Sequence, residues 1–312
     1  DHADPVAESR EAKERGISIV TQEDDDCPSL SREAYDPPLL LYVWGKIESR
    51  DRHAIGVVGS RRATHYGTQA TRKLSYQLAQ SGFTILSGLA RGIDTAAHEA
   101  AIAANGRTIA VIGSGLAKLY PPENLALAEK TADGFGAVVS EFPLHTAPDK
   151  QTFPMRNRIV AGMSEAVVVI ESDVDGGAMI TARFAGEQGR LIFAMPGRID
   201  QNTSAGCHQH IRDGATLLTS VDDILNELNY LDGMRPAAIA EKPAHVAAGR
   251  PANLTEDEAK VFECFRGGAI LAPDALAGLT ELSAAQLSAT LMMLELKRLV
   301  AKRADGAFEA RG

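Results

Sequence analysis

The residues best equipped for chemistry stand in glycine-rich turns that also carry arginine. Gly59-Ser60-Arg61-Arg62 is the first such turn and Ser87-Gly88-Leu89-Ala90-Arg91-Gly92-Ile93-Asp94 the second. Gly113-Ser114-Gly115 and Asp175-Gly176-Gly177 follow. Glycine lets backbone N–H groups approach an anion closely, and helix N-termini add partial positive charge. Arg61, Arg62 and Arg91 add full charges beside Ser60 and Gly88. In any one turn, a tight strand-to-helix bend explains the glycine as well as a ligand does. Several turns with arginine favour a phosphate-binding edge. A further stretch, Lys150-Gln151-Thr152-Phe153-Pro154-Met155-Arg156-Asn157-Arg158, interleaves three cations with a ring and the Asn157 amide. Single-stranded nucleic acid is held that way, by cations along phosphates and aromatic faces under bases. Taken alone, the stretch also admits a plainer reading, with Arg156 and Arg158 in ion pairs and Phe153 in the core.

Other chemistries find less support. A dinucleotide site needs G-x-G-x-x-G between strand and helix and an acid about 20 residues later. The first turn lacks that spacing, and Gly113-Ser114-Gly115 has no third glycine in register. No G-x-x-x-x-G-K-[ST] stretch cradles a nucleoside triphosphate. Cys207-His208-Gln209-His210 has no partner ligands at zinc spacing and reads as two surface histidines near a helix start. Asp94 reads as a helix cap, and Glu171, Asp173 and Asp175 as solvated loop carboxylates. The expectation is a protein with no catalytic residue, no cofactor and no metal.

These turns must be placed by the elements around them. Short apolar runs at 54–58, 83–86, 108–112, 137–139, 166–170, 191–194 and 215–218 alternate with helix-sized stretches at 64–80, 94–104, 122–132 and 178–188. Most runs are continuously apolar, as strands buried on both faces must be. The pattern predicts an α/β fold with a mostly parallel, doubly wound sheet. Residues 39–44 predict an edge strand, and 17–20 another. In such a sheet the turns gather at the carboxyl ends of the strands, where ligands bind. Residues 231–253 are rich in Ala and Pro without periodicity and read as a linker. Beyond it, Thr255 and Glu258 have capping-box spacing. Three short helices and a hairpin turning at Ala304-Asp305-Gly306 then predict a small C-terminal winged-helix domain over 254–312. Its third helix, 283–296, carries no Lys or Arg, which favours a protein contact over base reading.

The formal charge of −9 at first argues against a nucleic-acid partner. Its distribution argues otherwise. Residues 1–26 hold nine acids against three bases, net −6, whereas residues 27–230 hold 21 acids and 19 bases, net −2. Three distant cysteines form no disulfide framework and suit a reducing cytoplasm. No run approaches the ~18 apolar residues of a spanning helix, so no membrane partner is expected. No leader indicates export, and the start at Asp1 suggests a trimmed chain.

Together the motifs resemble those of the DNA-processing protein A (DprA/Smf) family. The likeness rests on Val58-Gly59-Ser60-Arg61, on the run from Ser87 through Asp94 to Thr95-Ala96-Ala97-His98, and on Tyr120-Pro121-Pro122-Glu123-Asn124. It continues through Phe153-Pro154-Met155-Arg156-Asn157-Arg158-Ile159, Ile180-Thr181-Ala182, Pro196-Gly197 and Gly206-Cys207-His208, spanning about residues 35–228. The resemblance implies an extended Rossmann-like domain over 35–230 that binds single-stranded DNA without a nucleotide cofactor. It implies a homodimer that protects incoming DNA and loads RecA recombinase onto it during natural transformation. It places the DNA pocket on Arg61, Ser87, Gly88, Lys150, Phe153, Arg156 and Arg158, with Gly177 nearby. Ser60, Arg62, Arg91 and Asn157 are secondary phosphate candidates. Members often carry a small helical domain ahead of this part. Residues 1–34 are too short and acidic to hold it, and read as its remnant or a linker. Where many relatives have Tyr-Pro, this chain has Cys27-Pro28. The rival expectation is a nucleotide or nucleoside phosphoribohydrolase, motivated by Gly176-Gly177…Thr181 and Glu171. Its P-G-G-x-G-T-x-x-E stretch is not intact here. A winged-helix transcriptional regulator fits the uncharged third helix poorly.

Overall fold

A strand covered by helices on both faces has no polar side, and such strands fill the centre of this molecule. The computed structural model describes residues 4–24, 27–32, 34, 36–228, 254–265, 270–280, 282–297, 299–302 and 308–310. The chain opens with α1 (Pro5–Glu14), β1 (Ile17–Thr21), the single turn α2 (Ser29–Arg32) and β2 (Leu40–Gly45). Then come β3 (Ala54–Val58), α3 (His65–Gln80), β4 (Thr84–Ser87), α4 (Ile93–Ala103), β5 (Thr108–Val111), α5 (Leu125–Lys130) and β6 (Gly136–Ser140). The second half follows as α6 (Thr152–Gly162), β7 (Ala166–Val169), α7 (Gly177–Glu187), β8 (Leu191–Ala194), α8 (Asn202–Arg212), β9 (Thr216–Leu217) and α9 (Val221–Glu227).

The nine strands form one sheet in the order β1-β2-β6-β5-β4-β3-β7-β8-β9. The β1–β2 and β2–β6 pairs are antiparallel and all others parallel, with Ile55 opposite Ala166 and Val58 opposite Val169. Alternation along β3 serves two helical layers. Ile55 and Val57 cluster with Leu74 and Leu78 of α3 and Ala97 of α4, while Ala54 and Val58 cluster with Val160 of α6 and Ala182 of α7. Each fully buried Leu or Ile contributes ~1.5–3 kcal/mol, so these two layers dominate the stability.

Two expectations change. Residues 1–34 read as a domain remnant or a linker, yet α1 and β1, the latter on the strand expected at 17–20, belong to the main unit. Ala12 and Ile17 pack there with Tyr42, Ile112 and Leu144. Their apolar positions decided their place, not the net charge around them. The strand at 40–45 lies second rather than at the edge, because β1 covers it.

At the amino ends of the central strands, Arg107 is bound on all sides. Its Nε and one terminal nitrogen donate to the two oxygens of Asp51, each at 2.6 Å, and to Lys46 O at 2.7 Å. Thr84 donates to the same carboxylate at 2.7 Å.

The chain divides into two compact units, residues 1–236 and 237–312. In the second, α10 (Glu256–Glu263), β10 (Ile270–Leu271), α11 (Pro273–Thr280), α12 (Ala284–Leu296), β11 (Val300–Lys302) and β12 (Phe308–Ala310) make a winged helix with sheet order β10-β12-β11. Thr255 caps α10 in a capping box with Glu258, and Ser283 caps α12 with Gln286. Phe265, Leu276, Leu291, Leu294 and Phe308 fill its core. The linker at 231–253 and the turn at 304–306 lie outside the described residues. Among those described, no helix is long and apolar enough to cross a membrane.

Candidate nucleic-acid interface

From β3 the chain adds β4, β5 and β6 on one side, then returns through α6 to place β7 on the other. The loops leaving β3 and β7 therefore part from one another and open a crevice at the carboxyl edge. A cleft of about 430 Å³ lies there. Gly59, Ser60, Arg61 and Arg62 come from the loop after β3, and Gly88 and Ala90 from the loop after β4. Lys150, Phe153, Arg156 and Asn157 enter from the start of α6, and Ser172, Asp173, Gly176 and Gly177 from the loop before α7. Four segments spread over some hundred residues thus share one cavity, for the topological reason just given.

Within it, the Arg61 guanidinium lies 4.9 Å from the centroid of the half-buried Phe153 ring. Arg61, Arg62 and Lys150 are exposed. Asn157 donates to Gly177 O at 3.3 Å, which ties the α6 wall to the α7 turn. Gly176 caps α7 with no side-chain hydrogen bond, Met179 N donates to Gly176 O at 3.0 Å, and Gly177 and Ala178 at the start of that helix line the cleft. A Cβ on Gly177 would meet nothing within 4 Å; packing does not require glycine there.

Arg156 plays another part. It is 5% exposed, donates to Gly88 O at 2.5 Å, to Val111 O and to Asn157 Oδ1 at 2.9 Å, and stands 4.0 Å from Asp94. Carbonyls orient it, and Asp94 offsets its charge only from 4.0 Å. Burial, with the Arg61 charge nearby, pulls its pKa down to about 10 against the opposing pull of Asp94. It stays cationic at neutral pH and underlies the cleft floor. Gly88 is glycine for this reason, since a Cβ there would lie 2.1 Å from the Arg156 guanidinium. His98, fully buried behind this floor, donates to or accepts from Thr108 Oγ1 at 2.6 Å, and burial together with the Arg156 charge holds its pKa down to about 3.

The structure therefore brings together Ser60, Arg61, Arg62, Gly88, Lys150, Phe153, Arg156, Asn157 and Gly177. It does not bring three other candidates to the cleft wall. Ser87 is fully buried and donates to Val57 O at 2.6 Å. Arg158 is spent on Asp36 at 2.9 Å and Glu141 at 2.6 Å. Arg91 lies beyond the cleft in an ion pair with Glu123.

Several side readings also change. Asp94 sits inside the first turn of α4 and accepts from Gly88 N at 3.1 Å and Ala90 N at 3.2 Å, so it braces the preceding loop instead of capping the helix. Glu171 is no solvated carboxylate: it is 3% exposed and accepts from Thr64 N at 2.8 Å and Thr64 Oγ1 at 2.5 Å. Asp173 and Asp175 are exposed, as read. Cys207 and His208 lie in the body of α8. Cys207 is fully buried, with burial raising its thiol to about 12, and the His208 ring contacts Gly197 O at 3.0 Å. Among the described residues no group of three or more His, Cys, Asp or Glu is placed to hold a metal. Asn124 of the Tyr-Pro-Pro-Glu-Asn turn donates to Leu89 O at 2.8 Å and Thr95 Oγ1 at 2.9 Å. It staples that turn to the Arg91 loop, a role its spacing alone did not disclose.

Residues 18–229 match the family model of the DNA recombination-mediator protein A, and residues 245–306 that of the DprA winged helix domain. The chain is 41% identical over 225 residues to protein Smf of Synechocystis, covering 71% of this chain and 56% of that protein. It thus spans little more than half of that relative's length. Among solved structures it is similar to DNA processing protein A of Streptococcus pneumoniae, with a TM-score of 0.67 and 40% identity over 72% of this chain and 78% of that one. It is also similar to DNA processing protein A of Helicobacter pylori, whose structure concerns its binding of single-stranded DNA. There the TM-score is 0.61 and the identity 30%, over 69% of this chain and 97% of that one. With more than half of its length matched by the first family model, the chain belongs to the DNA recombination-mediator protein A family.

Proposed function

We propose that this chain binds single-stranded DNA in the cleft between β3 and β7 and acts, without catalysing a reaction, as a recombination mediator. The observation that carries the reading is the Arg61 guanidinium stacked on Phe153 in the same cavity as Lys150 and the open Gly177 turn. A base lies on the Phe153 face, a platform that tolerates any base because every base has a flat face. Phosphates meet Arg61, Lys150 and the positive end of α7 at Gly177. Arg156 contributes long-range attraction through its buried charge and touches no phosphate. Ser87 and Arg158 act by holding the walls. In this reading the protein works in the cytoplasm as a homodimer, protecting incoming strands and loading RecA recombinase onto them during natural transformation, as the family likeness suggests. The winged helix serves a protein contact. The exposed Met292, Met293 and Leu296 on its cation-free α12 support that role.

Titration of oligothymidylate across a salt series tests the cleft. Arg61→Ala and Lys150→Ala each weaken binding of any sequence, and the slope of log affinity against log salt falls by about 0.7 per lost contact. Unchanged affinity and slope in both variants would overturn the assignment. The phosphoribohydrolase reading gains little from Glu171, whose carboxylate is already occupied by Thr64. Release of free base from nucleoside monophosphates would revive it.

A further inference from the structure

We propose that the DNA track continues past the cleft onto Tyr120, with Arg91 as its next phosphate contact and Glu123 as the acid that holds Arg91 until DNA arrives. This inference rests on the single-strand reading of the cleft. Tyr120 is no part of the cavity; it stands in the turn after β5, 37% exposed. Its ring centroid is 6.0 Å from that of Phe153, with the planes 49° apart. The Arg91 guanidinium lies 5.9 Å from the Tyr120 centroid and also hydrogen-bonds that side chain, a looser counterpart of Arg61 at 4.9 Å from Phe153. The same pairing of a ring with an arginine therefore occurs twice, side by side, once inside the cleft and once outside it. A guanidinium is flat, so each stack marks a ring face that admits a flat group, and a nucleobase is another such group. The 6.0 Å between rings exceeds the about 3.4 Å rise per nucleotide of a duplex strand. Two rings so spaced and tilted by 49° are not parallel platforms, which suits an unstacked single strand.

Glu123 completes the arrangement. Its carboxylate pairs with Arg91 Nε, and the two side chains are 47% and 52% exposed. An ion pair so open to water is weakly held, and a phosphate offers the guanidinium an equivalent bidentate partner. Exchange of carboxylate for phosphate leaves the turn in place, because Asn124, not Glu123, anchors it to Leu89 and Thr95.

The test measures affinity of the full chain for a length series of oligothymidylates, from one that fills only the cleft to ones that extend beyond it. Tyr120→Leu weakens the longer oligonucleotides about tenfold, the scale of one lost base stack, and leaves the shortest unchanged. Tyr120→Phe keeps the ring and binds like the parent. Glu123→Gln frees Arg91, tightens the longer oligonucleotides and steepens their salt dependence, whereas Arg91→Ala lowers that slope by about 0.7. A Tyr120→Leu loss that is equal at every length, or no loss at all, overturns the extension while Arg61→Ala and Lys150→Ala still weaken binding. If those two cleft variants are also silent, the cleft reading itself has failed and the extension falls with it.

Discussion

Two buried arginines, at opposite ends of the same sheet, are handled in opposite ways. Arg107, at the amino ends of the strands, faces both oxygens of Asp51 at 2.6 Å, so its charge is cancelled where it lies. Arg156, at the carboxyl ends, is wrapped by the carbonyls of Gly88 and Val111, with its nearest carboxylate, Asp94, 4.0 Å away. The pKa values follow the partners. Burial pushes that of Arg107 down, but hydrogen bonding and attraction to Asp51 and attraction to Glu48 together raise it above the ordinary value, while burial drops that of Arg156 to about 10. A buried charge with a full partner is neutralised where it lies and costly to strand; one oriented by dipoles keeps more of its field. In the proposed reading the amino edge is inert and the carboxyl edge attracts anions.

The largest test of this contrast is Arg107→Ala. It strands the Asp51 carboxylate in the interior and costs about 3–5 kcal/mol in thermal or denaturant unfolding. The folded protein should bind oligothymidylate as the parent does, and a loss of affinity matching that of Arg61→Ala would erase the distinction between the two edges. Next comes acid. The His98 pKa is about 3 in the fold, against 6.5 for a solvated imidazole, so below pH 6.5 the unfolded chain takes a proton that the native state refuses. The corresponding stability is present above pH 6.5 and is lost on acidification toward pH 3, at roughly 1.4 kcal/mol per pH unit. Parent-minus-variant stability for His98→Gln should fall with that slope; a flat difference would mean that His98 is not held neutral. A smaller effect separates the two cleft glycines. Gly88→Ala crowds the Arg156 guanidinium, lowering stability by about 1–3 kcal/mol and DNA affinity with it. Gly177→Ala meets open space, so stability stays within ~0.5 kcal/mol while affinity falls, provided DNA approaches that turn closely.

The central strands were readable because burial on both faces leaves them continuously apolar, and the glycine turns were readable because they follow those strands. The individual fates of the arginines were not. Arg156 and Arg158 stand two residues apart on one helix. One points beneath the cleft, and the other is claimed by Asp36, 122 residues earlier, and by Glu141. Tyr120 and Glu123 likewise belong to a recognisable motif, but their position beside Phe153 and Arg91 depends on how β5 and β4 neighbour one another. The histidines beside Cys207 read as surface; α8 turns Cys207 itself onto the carbonyls of Val169 and Ile170.

Residue types and their spacing by themselves determined the layered α/β architecture, the winged helix and the likeness to a DNA-processing family, because periodicity and glycine placement are local properties of the chain. They also located most of the −9 charge near the N-terminus. Only the tertiary structure decided which cations line the cleft and which face an acid. That choice depends on the reversal of strand order between β3 and β7, which opens the cleft, and on contacts between residues far apart in sequence. Charge neutralisation acts over a few ångströms of space, and no spacing along the chain records it.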